Sequence, residues 1–117
     1  MISIIDDDES IREAIAGLLR CLGLRFKAFP SAIEFLASPE LTDSSCIIAD
    51  VQMPHMTGIE LHSRLRALGH VVPTILITAY PDDEARERAL ADGVLCYLSK
   101  PFDKDSLIGC VRCALER

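Results

Sequence analysis

Apolar and polar positions follow two alternating rhythms along the chain. Ile2-Ser3-Ile4-Ile5 is a short strand-like run. Ile11 to Leu22 then places Ile11, Ile15, Leu18, Leu19 and Leu22 at helical spacing, and Gly23 stops the helix. Arg25 to Phe29 predicts a second short strand with alternating character. Ser31-Ala-Ile-Glu34 has the spacing of a capping box, in which serine oxygen and glutamate carboxylate satisfy orphan amides reciprocally, and opens a brief helix. Residues 38–45 (SPELTDSS) read as a polar loop. Cys46-Ile47-Ile48-Ala49 is a third strand that ends at Asp50. Thr57-Gly-Ile-Glu60 repeats the capping pattern ahead of a helix to about Leu68, closed by Gly69. Thr74 to Ile77 is the fourth strand, Asp82 to about Asp92 the fourth helix and Leu95 to Leu98 the fifth strand. Asp103 to Leu115 is the fifth helix.

A strand followed by a helix, repeated along the whole chain, predicts an α/β fold. The first, third and fourth strands are near-continuous apolar runs, as expected when helices cover both faces of a parallel sheet. Right-handed crossovers then give an open, doubly wound five-stranded sheet flanked by five helices. The pattern shows no linker, repeat or low-complexity tract, so residues 1–117 are expected to form one domain.

Composition narrows the function. Half of the residues are hydrophobic, enough for a buried core. A formal net charge of -6 argues against a direct grip on nucleic acid, because phosphate backbones reward basic surfaces. No apolar run approaches the roughly 18 residues that cross a bilayer, and the start lacks the basic-then-apolar order of a secretory signal. Five cysteines are an odd number, and reduced thiols in a cytoplasm are the simpler expectation.

In a doubly wound sheet the ligand site lies off the carboxyl ends of the strands. This sequence places Asp6-Asp7 after the first strand, Asp50 at the end of the third, Thr78 at the fourth and Lys100-Pro101 at the fifth. Clustered carboxylates repel each other, and a shared cation or a raised pKa relieves them. Mg²⁺ suits such a site, being a hard ion that takes one or two carboxylates, keeps waters and completes its shell with phosphate oxygens. An aspartate can act as a nucleophile and form an aspartyl phosphate, with metal, lysine and hydroxyl offsetting the phosphoryl charge.

The stretches IIDDD, IIADVQMPHMTGIEL, ILITAY and YLSKPF, in this order and spacing, resemble the receiver domains of two-component response regulators. MTGIEL and the KPFD ending look closest to receivers of nitrogen-fixation-type regulators. The resemblance implies the flavodoxin-like strand order 2-1-3-4-5. It implies Asp50 as phosphoacceptor, Asp7 as direct Mg²⁺ ligand, Asp6 as an assisting ligand and the backbone carbonyl of Gln52 as a further one. Thr78 would hydrogen-bond the phosphoryl group and Lys100 would pair with it. The Lys100–Pro101 bond would be cis, and Tyr97 would swing inward as Thr78 moves to the phosphate. Gln52 and Tyr80 stand where the family tunes phosphate lifetime, and His55 stands where small residues are usual.

The family further implies a bacterial, cytoplasmic phosphoprotein in signal transduction and transcription regulation. Its partners would be a histidine kinase or phosphotransfer protein, an output domain or partner protein, and a second copy bound through the fourth-helix and fifth-strand face. It would be no enzyme beyond its own phosphorylation and dephosphorylation. Two other readings compete: an aspartate-nucleophile phosphatase using Asp6 and Asp8, and a docking module that ignores phosphate.

Several features have plainer explanations. Asp8 and Glu9 complement a helix dipole. Cys110-Val-Arg-Cys113 could be a redox pair or half a zinc site, but it falls late in a helix with no second ligand pair. Both sulfurs are expected to pack against the sheet, and Cys21, Cys46 and Cys96 are expected in the core. His55, His62 and His70 are spaced too irregularly for a metal site. Asp82 to Arg88 is a solvated helix face of mixed charge.

Overall fold

The computed structural model describes residues 1–116. Five parallel strands, β1 (Ile2–Ile5), β2 (Phe26–Phe29), β3 (Cys46–Asp50), β4 (Thr74–Thr78) and β5 (Cys96–Ser99), form one sheet in the order β2-β1-β3-β4-β5. Six helices connect and cover them: α1 (Glu9–Cys21), α2 (Ala32–Leu36), α3 (Glu40–Asp43), α4 (Gly58–Ala67), α5 (Asp83–Ala91) and α6 (Lys104–Leu115). The doubly wound architecture and its strand order match the expectation.

Strand alternation divides the core between the two faces of the sheet. Ile5, Ile47, Ala49, Leu76 and Tyr97 pack with Phe35, Leu61, Leu65 and Ala89 from α2, α4 and α5. Ile2, Ile4, Cys46, Ile48, Ile75 and Ile77 pack on the other face with Ile15 and Leu19 of α1 and Leu107 and Val111 of α6. Each large side chain withdrawn in this way contributes about 1.5–3 kcal/mol.

Polar side chains fix the helix starts. Asp8 is the N-cap of α1 and accepts a hydrogen bond from the Ser10 amide. Thr57 and Glu60 complete the expected capping box at α4. At α2 only half of the box forms: Ser31 accepts from the Glu34 amide. Gly23 and Gly93 adopt φ of 72° and 103° just beyond α1 and α5, where a side chain would be strained.

The structure corrects three expectations. The segment read as a polar loop contains the single turn α3, making six helices; Leu41 leans on the core there, a signal too short for periodicity to expose. Cys96 and Cys110 are joined by a disulfide, whereas all five cysteines were expected as reduced thiols. Cys46 is buried as expected, but Cys21 and Cys113 are exposed rather than packed.

Candidate functional site

The parallel register brings the predicted site residues to one edge. Asp6 directly follows β1, Asp50 closes β3, Thr78 closes β4 opposite Ser99, and Lys100 directly follows β5. Backbone bonds hold these ends in place: the Asp6 amide donates to Phe29 O at 3.1 Å, the Val51 amide to Ile77 O at 2.9 Å and the Lys100 amide to Thr78 O at 2.7 Å. The Lys100–Pro101 peptide bond is cis, as expected.

Asp6 and Asp50 are 2% and 4% exposed, so two carboxylates are sunk into the sheet edge side by side. Lys100 spans them, with Nζ 3.2 Å from Asp6 Oδ2 and 3.4 Å from Asp50 Oδ2. Asp6 Oδ1 accepts from the Asp8 amide at 2.9 Å, and Asp50 Oδ1 accepts from the Gln52 amide at 3.3 Å. Burial, helped by the Asp6 charge and opposed by Lys100, pushes the Asp50 carboxyl up to about 6. Burial also raises Asp6, against the Asp8 amide and Lys100. For Lys100, desolvation is outweighed by its carboxylate neighbours, Asp6 above all, and its pKa rises.

Asp7 is exposed, yet it offers a carboxylate oxygen to the same point. Ligand atoms of Asp6, Asp7 and Asp50 all lie within 4.8 Å of one another. The oxygen-only donor set, three carboxylates of which Lys100 pairs with two, fits a hard divalent cation such as Mg²⁺.

Thr78 is fully buried, and its hydroxyl is already engaged. It donates to Gln52 Oε1 at 2.9 Å and accepts from the Tyr80 amide at 3.0 Å, while the Ala79 amide also reaches Gln52 Oε1 at 3.3 Å. Tyr80 itself is 73% exposed. Tyr97 is buried in the core on the α5 side, and burial raises its phenol pKa. His55 takes φ of 71°, a left-handed conformation that explains why a small residue is the easier choice there.

Two positioning residues were not singled out from the sequence. Arg12 Nη1 donates to Asp6 O at 2.6 Å and clasps the end of β1 from α1. Gly58 lets α4 approach the end of β3: a Cβ there would lie 2.5 Å from Asp50 O and 3.0 Å from Leu76 Cδ2. The close approach is visible only in three dimensions, although the glycine after a cap residue was its one sequence signal. Gly58→Ala is expected to shift α4 off β3 and destabilise the fold by about 1–3 kcal/mol. A thermal midpoint equal to that of the parent would show that the approach is not tight.

A cavity of about 550 Å³ lies elsewhere, at the amino edge of the sheet beside His62, His70, Pro73 and Thr74. The acidic cluster is not part of it.

Comparison with known proteins agrees with this geometry. Residues 2–112 match the sequence model described as the response regulator receiver domain. The chain belongs to that family. It is 37% identical over 116 residues to the response regulator protein TmoT of Ectopseudomonas mendocina, a match spanning 99% of this chain and 53% of that protein. The transcriptional regulatory protein FixJ of Azorhizobium caulinodans is also 37% identical over 116 residues, 99% of this chain and 55% of that protein. Among solved structures, FixJ-N has a TM-score of 0.87 at 31% identity, covering 99% of this chain and 93% of that one. Response regulator StyR has a TM-score of 0.90 at 34% identity, covering 98% of this chain and 58% of that one. The receiver thus spans about half the length of the regulators it matches. Among the described residues, no helix of the receiver is long and apolar enough to cross a membrane.

Proposed function

We propose that this receiver is a phosphorylation-gated switch in which Asp50 accepts a phosphoryl group from the phosphohistidine of a histidine kinase or phosphotransfer protein. The reading rests on one observation above all: two buried carboxylates share a single lysine at the strand edge, with a third carboxylate within reach. An Asp50 oxygen attacks phosphorus as the bond to the donor histidine nitrogen breaks, giving an aspartyl phosphate. Asp6, Asp7, Asp50 and the Gln52 carbonyl would hold Mg²⁺, which when bound offsets the charge of the carboxylates and phosphoryl oxygens. Lys100 then exchanges part of its contact with Asp50 for a phosphoryl oxygen.

Thr78 is the link to the surface. Its hydroxyl leaves Gln52 Oε1 and donates to the phosphoryl group, altering the β4–α5 junction beside Tyr97. Moving a population from 1:99 to 99:1 takes roughly 5.5 kcal/mol of differential binding, within reach of several charge-assisted hydrogen bonds of roughly 1.5–3 kcal/mol each. The changed surface, α5 with β5, would address an output domain, a partner protein or a second copy. A cytoplasmic place and a role in transcription regulation follow from the same reading, as does the absence of turnover on a separate substrate.

The Gln52 contact must be broken before Thr78 can turn, so it biases the switch toward rest. Gln52→Ala removes about 1 kcal/mol of that bias and is expected to tighten binding of beryllium fluoride with Mg²⁺ about fivefold. An unchanged or weaker affinity would mean that Gln52 does not restrain Thr78. A phosphatase reading would make Asp6 the nucleophile, but Asp6 is the more tightly held carboxylate, 2.9 Å from the Asp8 amide and 3.2 Å from Lys100 against 3.3 and 3.4 Å for the corresponding contacts of Asp50.

Acetyl phosphate or carbamoyl phosphate tests the assignment. With Mg²⁺ present, label is expected on Asp50 and absent in Asp50→Asn. Undiminished label on another residue of that variant would refute the phosphoacceptor role.

A further inference from the structure

β5 and α6 are joined at a point that the phosphoryl site does not use. Cys96, the first residue of β5, is bonded through sulfur to Cys110 in the middle of α6, with their Cα atoms 6.4 Å apart. Both are half-buried and packed against the cluster on the α1–α6 face. The chain between them, residues 96–110, carries Tyr97, Lys100 and the cis Pro101. One covalent link therefore closes the loop that presents both the buried aromatic and the lysine shared by Asp6 and Asp50. Cys113, one helical turn beyond Cys110, is exposed and holds a free thiol.

We propose that Cys96 and Cys110 are a reversible redox modification site that sets how readily the phosphoryl site rearranges. The oxidant is a peroxide. One thiolate attacks the peroxide oxygen and becomes a sulfenic acid as the first water leaves. The second thiol attacks that sulfur, the S–S bond forms and a second water leaves. The two electrons and two thiol protons thus end on the peroxide. A dithiol reverses the step by exchange through a mixed disulfide, itself becoming a disulfide. Disulfides of this kind act as sensors where the surroundings are otherwise reducing.

The consequence for signalling rests on the phosphoacceptor reading given above. With the loop closed, Lys100 stands against both carboxylates and Tyr97 is buried. Phosphoryl binding asks Lys100 to re-aim, and a closed loop has less freedom to let it. Oxidation is therefore expected to weaken binding of beryllium fluoride with Mg²⁺ about fivefold, and the mimic to make the bridge easier to reduce by the same factor.

The whole chain is treated with hydrogen peroxide or with dithiothreitol, unfolded and alkylated. The expected count is three alkylated cysteines after peroxide and five after dithiothreitol, with Cys96 and Cys110 peptides joined in the oxidised digest. The thermal midpoint is expected to fall on the order of 10 °C on reduction, an effect absent in Cys110→Ser and in Cys96→Ala but kept in Cys113→Ser. Five alkylated cysteines after peroxide, or a bridge mapped from Cys110 to Cys113, would overturn the pairing. A bridge at Cys96–Cys110 with equal mimic affinity in both redox forms would overturn the coupling. Mimic binding absent in both forms would count against the phosphoacceptor reading instead, and the thiol count would still decide the pair.

Discussion

Replacing Asp50 with asparagine is expected to stabilise the chain by about 2–3 kcal/mol at pH 8 in EDTA, although the same change removes the proposed phosphoacceptor. In the fold the Asp50 carboxyl is raised to about 6 from a reference of 3.8, first by burial and then by the Asp6 charge. A carboxyl raised in this way binds its proton more tightly when folded. Between these two values the folded state holds more protons than the unfolded chain, so stability falls as pH rises through that window. At about 1.4 kcal/mol for each pH unit, ionised Asp50 costs the apo fold about 3 kcal/mol above pH 6. Asparagine has the same shape, no charge and no such cost. The gain is expected to shrink toward pH 4, where wild-type Asp50 is also neutral. It should shrink as well with Mg²⁺, which stabilises only the chain that binds it. Urea midpoints at several pH values, compared at equal slope, read this directly. A variant less stable than the parent at pH 8, or a difference independent of pH, would contradict the charge account of the site.

Lys100→Met is expected to act in the opposite direction and as strongly. Lys100 Nζ is the cation shared by Asp6 and Asp50, which are almost fully buried. Methionine keeps much of the side-chain volume but leaves two buried carboxylates facing each other. Breaking a buried pair from one side costs about 3–5 kcal/mol, because the remaining charges lose their compensation. The loss should appear in EDTA at pH 8, and Mg²⁺ should recover part of it by supplying a substitute positive charge. Adding Asp50→Asn to Lys100→Met removes one of the stranded charges, so the double variant should be more stable than Lys100→Met alone. The coupling in this cycle is the quantity to measure. Strict additivity would mean that the lysine and the carboxylates do not act as one cluster.

Much of this arrangement was legible in the sequence, and the reasons are physical. Runs such as Cys46-Ile47-Ile48-Ala49 must be buried on both sides, which only a sheet sandwiched between helices allows. Once the sheet is parallel, the residues closing its strands share an edge, so Asp6, Asp50, Thr78 and Lys100 could be placed together before any coordinate was known. What sequence cannot supply is the direction of a side chain when two are allowed. Gln52 was placed beside Asp50, but the turn of its amide onto Thr78 depends on the loop that follows β3. Tyr97 was placed on β5, where it is found, buried in the core. The cysteines misled for a similar reason. Neighbourhood along a helix drew attention to Cys110 and Cys113, while the true partner of Cys110 lies across the β5–α6 connection at a sequence separation of 14. The turn at Glu40–Asp43 spans four residues, barely one helical period, so no repeating signal could reveal it.

The most direct test of the central claim is the intact mass of the chain after acetyl phosphate treatment, measured with Mg²⁺ and again with EDTA. The account predicts one added phosphoryl group with Mg²⁺, located on Asp50, and little or none with EDTA. Equal phosphorylation in both conditions, or none with Mg²⁺, would contradict it.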